Sequence, residues 1–230
     1  MKIYNPVSTY RLQFHKDFNF EDASKIISYL HKLGIKTIYA SPVLNAVKSS
    51  IHGYDVTDVT KLNPEIGNEN SFHRLINKVH KKDMGWLQDI VPNHMAFSSE
   101  NPWINEILLK GKDASSFSYF DFFLDHPNHD LREKIMVPFF GKPLEELIDD
   151  QELLLEISEQ GFSLKYFDNI YPISYQAYPF ILNGFDKHII DNKIKEKIRH
   201  LQDNEVKSEG WKQLVISLKK DTNSLKFLEK

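Results

Sequence analysis

The sequence contains no cysteine, which excludes a disulfide framework and any thiolate-based metal centre. It has no apolar run near the ~20 residues that a membrane helix needs. Residues 1–9 also lack the apolar stretch of a signal peptide. Charges of both signs are mixed along the chain and the formal net charge is −3. There is thus no basic stripe, and nucleic acid is excluded as the expected partner. These absences together predict a cytoplasmic protein that does not enter a membrane. What is present is a core: apolar residues make up 41% of the 230 residues, with 16 Phe and 10 Tyr. That composition excludes disorder throughout, and the length fits one large domain or one and a half small ones. Aromatic residues reach 13%, and many stand beside turn residues. Most are expected to fill the core, but flat rings near turns also suit stacking on the C–H faces of sugars.

Residues 6–14 read as a first strand, with Val7, Thr9, Tyr10, Leu12 and Phe14 as strand formers. Asn19 is placed to cap a helix whose apolar face is Ile26, Ile27, Leu30 and Leu33, with Gly34 ending it. Residues 35–40 form a second strand, and residues 41–67 read as a long polar loop. The next helix carries Phe72, Leu75, Ile76 and Val79 on one face, Gly85 follows it, and residues 86–91 form a third strand. Helix, glycine and strand recur twice in succession, which predicts parallel strands joined by crossover helices. Both long polar segments follow the carboxyl end of a strand, the end at which βα folds build their sites.

The rhythm then breaks. Residues 117–123 are dense in aromatics, and Gly141, Pro143, Gly161 and Pro172 cut the segment into short pieces. The predicted organisation is three βα units over residues 1–96, an inserted α+β subdomain over 97–190 and a helical tail over 191–230. In the tail Ile194, Ile198 and Leu201 share one face, and Trp211, Leu214, Val215 and Leu218 another. Three βα units do not close a (β/α)8 barrel, which takes about 250 residues. The α/β pattern with its insertion is therefore either an incomplete TIM-barrel start or a different fold.

Two polar clusters can carry chemistry. The first is Asp89-Ile90-Val91-Pro92-Asn93-His94 at the end of the third strand. An Asp in an apolar strand needs a partner, an Arg or a hydrogen-bonding neighbour, and His94 falls in the loop above. A capping Asp with a loop histidine satisfied by backbone fits this local pattern as well as a binding site does. The second cluster runs from Ser50 through His52, Gly53, Tyr54 and Asp55 to Asp58. Gly53 permits a tight turn, Tyr54 offers a stacking face, and His52 and Asp55 can bind hydroxyls. Residues 63–67, Asn-Pro-Glu-Ile-Gly, end that loop with turn chemistry, and an ordered surface loop alone accounts for it. The pair His126 and His129, spaced i, i+3 around Pro127, lacks further ligands and is not read as a metal site. Asp121, Asp125 and Asp130 read as turn and cap residues.

Together the two clusters resemble the α-amylase superfamily of retaining glucan enzymes. That superfamily has a Gly-Tyr pair after the second strand and an Asp-x-x-x-Asn-His motif at the third. Further stretches resemble its maltooligosyl trehalose synthase branch: Ser8-Thr9-Tyr10-Arg11-Leu12-Gln13, Tyr39-Ala40-Ser41-Pro42-Val43, Asn101-Pro102-Trp103, Tyr119-Phe120-Asp121, residues 137–143 and Leu164-Lys165-Tyr166-Phe167-Asp168. The resemblance spans residues 5–178. It implies that Tyr54 stacks on the sugar beside the scissile bond, His94 binds that sugar's hydroxyls, Asp89 holds the site's arginine and Asn93 braces the loop. His52, Asp55, Tyr10 and Gln13 complete the implied substrate-binding set.

The implied reaction rearranges the reducing-end α-1,4 link of a malto-oligosaccharide to an α,α-1,1 link, by the two-carboxylate logic of a retaining glycosidase and with no metal or organic cofactor. The family nucleophile is an Asp two residues after an Arg. Here the residues two positions after Arg11, Arg74, Arg132 and Arg199 are Gln13, Ile76, Lys134 and Leu201. The expectation is therefore a family fragment that binds α-1,4-glucan and is inactive alone. A second chain completing the barrel, or a poorly stable remnant, are its two versions. A different amylase-type hydrolase or glucanotransferase, and a non-catalytic glucan-binding relic, are the alternatives.

Overall fold

Asn19 accepts from the backbone N–H groups of Glu21 and Asp22, and Asp22 returns a bond to the Asn19 N–H. This capping box starts α1 (Phe20–Lys32) and satisfies donors that a helix start leaves open. Asn68 and Ser71 start α2 (Glu69–His80) in the same way. Gly34, at φ +90°, ends the first helix turn in a conformation that glycine adopts without strain. The computed structural model describes residues 5–137, 139–158, 160–184, 196 and 208–220. These fall into two compact units, Met1–Asn101 and Pro102–Lys230.

In the first unit the helices alternate with β1 (Thr9–Leu12), β2 (Thr37–Ala40) and β5 (Gly85–Gln88). The strands form one parallel sheet in the order β1-β2-β5. Its register pairs Leu12 with Ala40 and Ala40 with Gln88, so all three strands end at one level. Leu12, Ile38 and Ala40 face α1 and α2, where they pack with Phe14, Phe20, Ile27, Leu30, Leu75 and Val79, and Trp86 joins from β5. This is an α/β arrangement of a parallel sheet with helices.

The strands are shorter than their apolar runs suggested, because pairing ends where the chain turns into the loops. The stretch 41–67 is also more than a loop. It holds a two-stranded antiparallel ribbon, β3 (Leu44–Ala46) and β4 (Val56–Leu62). Its irregular register and polar members, with Asn45 Nδ2 donating to Thr57 Oγ1 at 2.8 Å, hid the period-two pattern. Asp58, in β4, is nearly buried. Burial works to raise its pKa, but bonds from Lys61 and from the Thr60 hydroxyl and N–H outweigh this and hold the carboxyl at about 2.

The second unit opens with α3 (Pro102–Lys110) and continues through 3-10 turns at Gly111–Asp113, Phe117–Tyr119 and His129–Leu131 to the short α4 (Leu144–Asp149). Strands β6 (Leu153–Ser158), β7 (Gly161–Tyr166) and β8 (Asn169–Pro172) then form an antiparallel meander. Helices α5 (Tyr178–Gly184) and α6 (Ser208–Lys220) follow. Phe162, Tyr178, Leu182, Trp211, Leu214 and Val215 make the core here. The Tyr178 hydroxyl is buried and accepts from the Phe162 N–H at 2.9 Å. A side chain on Gly161, at φ +126°, would collide with that hydroxyl. Ile194, Ile198, Leu201 and the side chain of Leu218, expected on the tail's apolar faces, lie outside the described residues. Among the described residues no helix is long and apolar enough to cross a membrane.

Candidate functional site

Side chains alternate along a strand, so Arg11 and Gln13 point away from the helix layer that takes Leu12. The register sets Arg11 beside Tyr39 and Tyr39 beside Leu87. Asp89 lies two residues beyond Leu87 on the same face. Its backbone N–H donates to the Ala40 carbonyl at 2.9 Å, continuing the ladder past the last strand residue. The sheet thus brings four polar side chains from three distant segments to its carboxyl end.

Asp89 is the centre of this group. Its Oδ2 accepts from Tyr54 Oη at 2.5 Å, from Arg11 Nη1 at 3.1 Å and from Tyr39 Oη at 3.2 Å. The Tyr54 bond, and then those of Arg11 and Tyr39, hold the carboxyl below the usual carboxylate range against the effect of burial. The same bond from the other side, with burial adding, pushes the Tyr54 phenol up, so it stays a neutral donor. Among the described residues, Oδ1 has no hydrogen-bond partner.

Arg11 reaches further. Its Nη2 donates to Gln13 Oε1 at 3.1 Å and to Tyr54 Oη at 3.2 Å. Its guanidinium carbon lies 4.7 Å from the centre of the Tyr39 ring, a cation–π stack. Gln13, so oriented, donates from Nε2 to the His52 carbonyl at 3.1 Å and the Ile51 carbonyl at 3.3 Å.

The loop that carries Tyr54 is fixed locally as well. Ser50 Oγ donates to Asp55 Oδ1 at 2.5 Å and accepts from the Gly53 N–H at 3.1 Å. Gly53 has φ +73°, and a Cβ there would stand 3.0 Å from the Pro42 carbonyl oxygen, so a larger residue would force the turn outward. His52 Nδ1 accepts from the Tyr54 N–H at 3.0 Å, and the two rings stack at 6.1 Å. Tyr54 itself remains 37% exposed, so one part of its ring is available to a ligand.

Of the residues singled out in the sequence, the structure gathers Gln13, Tyr54 and Asp89 into one network, with His52 and Asp55 in the adjoining loop. Asn93 and His94 are exposed, and Asn93 Oδ1 pairs with His94 Nδ1 at 2.9 Å. Among the described residues neither bonds to Tyr54 or Asp89. Tyr10 alternates onto the helix-side face with Leu12 and is 44% exposed, outside the network. Arg11 and Tyr39 were not picked out as site residues, although the period of two that sets Gln13 on the site face also sets Arg11 there. Among the described residues no three or more His, Asp or Glu side chains gather as a metal site. His126 Nδ1 accepts from the Asn128 N–H at 3.1 Å, and Asn128 caps the turn at His129.

The carboxyl end of the parallel sheet thus presents the Asp89 carboxylate and the partly exposed Tyr54 ring beside the His52 loop. The family model for the catalytic domain of α-amylases matches residues 23–176, and the chain belongs to that family. Within it, the chain is similar to a putative maltooligosyl trehalose synthase of Mycobacterium tuberculosis, 38% identical over 122 residues, covering 50% of this chain and 16% of the relative. The crystal structure of a maltooligosyl trehalose synthase superposes with a TM-score of 0.66 at 39% identity, over 72% of this chain and 22% of that one. The hypothetical maltooligosyl trehalose synthase of Sulfolobus tokodaii gives a TM-score of 0.64 at 34% identity, over 81% and 24%. The chain thus spans less than a quarter of the length of each of these relatives.

Proposed function

We propose that the chain supplies the first three βα units of an amylase-type barrel, together with one flank of its glucan subsite. The whole site would serve the rearrangement of a reducing-end α-1,4 glucosidic link into an α,α-1,1 link. The observation that carries this is the Tyr54 ring, held by Asp89 Oδ2 at 2.5 Å yet 37% exposed at the carboxyl end of a parallel sheet. A fixed, half-open ring beside hydrogen-bonding groups is what stacking on a glucose face requires. His94, in the loop past β5, and His52 and Asp55, beside Tyr54, are the groups proposed to take sugar hydroxyls. Asn93 steadies His94. The names of the relatives support the choice of reaction.

On this reading residues 97–190 are the insertion between the third and fourth barrel strands and residues 191–230 a helical tail. The covalent chemistry belongs to residues outside these 230, because no Arg here is followed two positions later by Asp. Strands β1 and β5 are the outer members of the sheet among the described residues. Further strands, from a continuation of the chain or from a second polypeptide, would cover those edges, which are otherwise prone to association.

Calorimetric titration of the chain with maltohexaose tests the binding part. Saturable binding is expected, weakened about tenfold or more in Tyr54→Ala with unchanged stability. Equal affinity in the two proteins would remove Tyr54 from the site. Incubation with maltohexaose tests the division of labour: reducing ends should stay constant, and their loss would place the nucleophile within this chain.

A further inference from the structure

We infer that Arg11 is the positioning residue of the subsite, the group that sets the plane and place of the Tyr54 ring. It rests on the glucan reading only for what the ring then does, not for the positioning itself. Arg11 acts on Tyr54 by two routes. Directly, Nη2 donates to the phenol oxygen at 3.2 Å while Nη1 holds, at 3.1 Å, the same Asp89 oxygen to which the phenol donates. Arg11, Asp89 and Tyr54 therefore close a triangle in which the phenol oxygen is both donor and acceptor, and this fixes its direction. Indirectly, Nη2 holds Gln13 Oε1 at 3.1 Å, which aims the Gln13 amide at the Ile51 and His52 carbonyls, just before Tyr54 in the chain. One side chain on β1 thus pins the ring at its far end and the backbone near its root, across 43 residues of sequence.

Only an arginine can do this. Two amino groups in a rigid plane serve three acceptors, and the Tyr39 ring at 4.7 Å keeps that plane from rotating. A lysine, a single point donor on a flexible stem, reaches one acceptor at a time. The bonds are made in a partly open place, where the side-chain exposures of Arg11 and Asp89 are 34% and 16%. Arg11 is therefore not a core residue whose loss collapses the sheet.

The test uses the full chain labelled with 3-fluorotyrosine, in which the Tyr54 fluorine signal is identified by its absence from Tyr54→Phe. In Arg11→Met that signal moves toward the position of a free tyrosine, and in Arg11→Lys it moves part of the way. The melting temperature of both variants stays within about 3 °C of the parent. Maltohexaose affinity falls about tenfold in Arg11→Met. In the Tyr54→Phe background the same change weakens binding by about threefold rather than tenfold, because the direct route through the hydroxyl is already gone and only the route through Gln13 remains.

A Tyr54 signal that stays in place in Arg11→Met overturns the inference, and so do fully additive losses in the cycle. If Arg11→Met does not fold, Arg11→Lys decides by the same two readouts. If the parent chain binds no maltohexaose while the fluorine signal moves as stated, the positioning role stands and the glucan reading fails.

Discussion

The two units of this chain use polar side chains over different reaches of sequence. In Met1–Asn101 several long-range bonds join side chain to side chain: Arg11 to Asp89, Tyr39 to Asp89 and Arg11 to Tyr54 connect positions 78, 50 and 43 residues apart. In Pro102–Lys230 polar side chains mostly fasten backbone or close nearby loops. Tyr178 and Tyr166 accept from the N–H groups of Phe162 and Gly141. Glu106 gathers the hydroxyls of Ser115 and Ser116 together with Lys110, and Lys142 spans Asp150 and Glu152. Bonds of the second kind repair donors that an irregular, turn-rich backbone leaves open. Bonds of the first kind hold several reactive-type groups in a partly open place, which stability alone does not ask for. The contrast locates the candidate site in the first unit.

The comparison sharpens most under changes that remove structure. Tyr178→Ala deletes the largest fully buried side chain among the described residues and removes the hydroxyl that accepts from the Phe162 N–H. A loss of about 3–5 kcal/mol is expected by urea denaturation. A loss below about 1 kcal/mol would mean the second unit does not depend on that bond and core. Gly67→Ala is the matching change in the first unit. A Cβ there would stand 2.5 Å from Ser71 Oγ and 2.6 Å from the Phe20 ring, at φ +138°. About 2–3 kcal/mol should be lost in the same assay, through overpacking and backbone strain. Asn19→Ala removes one cap and should lower stability by about 1 kcal/mol, with maltohexaose affinity unchanged, since α1 lies on the face away from Tyr54.

The smallest effects depend on pH and occur in both units. Asp58 in the first unit is held at about 2 from an ordinary value of 3.8. Glu106 in the second is held at about 2 from 4.5, first by Lys110 and then by Ser116, against some burial. A carboxyl with a depressed folded-state pKa stabilises fully above its unfolded value and loses that contribution as pH falls through the folded one. Asp58→Asn and Glu106→Gln should therefore be less stable than the parent at pH 6, with the gap closing between about 4 and about 2. A constant gap across that range in equilibrium denaturation would show that the lost bonds, not the ionisation, matter.

Much of the first unit is legible in the sequence alone. Asn19 and Gly34 mark α1 by local backbone chemistry, and the helix, glycine, strand repeat fixes parallel strands. That Asp89 must have a partner followed from the cost of burying a carboxylate. Which partner did not, because Arg11 meets it only once the register sets β1, β2 and β5 at one level. Tyr39 was hidden for the same reason. The β3–β4 ribbon escaped because its short strands carry Asn45, Thr57 and Asp58 where an apolar alternation is the usual signal. Tyr10 and Gln13 share a motif but, three apart in a strand, stand on opposite faces. Period two alone separates them and favours Arg11 beside Gln13.

The claim that the Arg11–Asp89–Tyr54 cluster forms a glucan subsite is met most directly by an NMR titration of the isotopically labelled chain with maltohexaose, repeated on Tyr54→Ala. The account predicts saturable shifts grouped at residues 51–55 and 89–94, lost in the variant. Shifts confined to the unit Pro102–Lys230, or the same shifts in the variant, would contradict it.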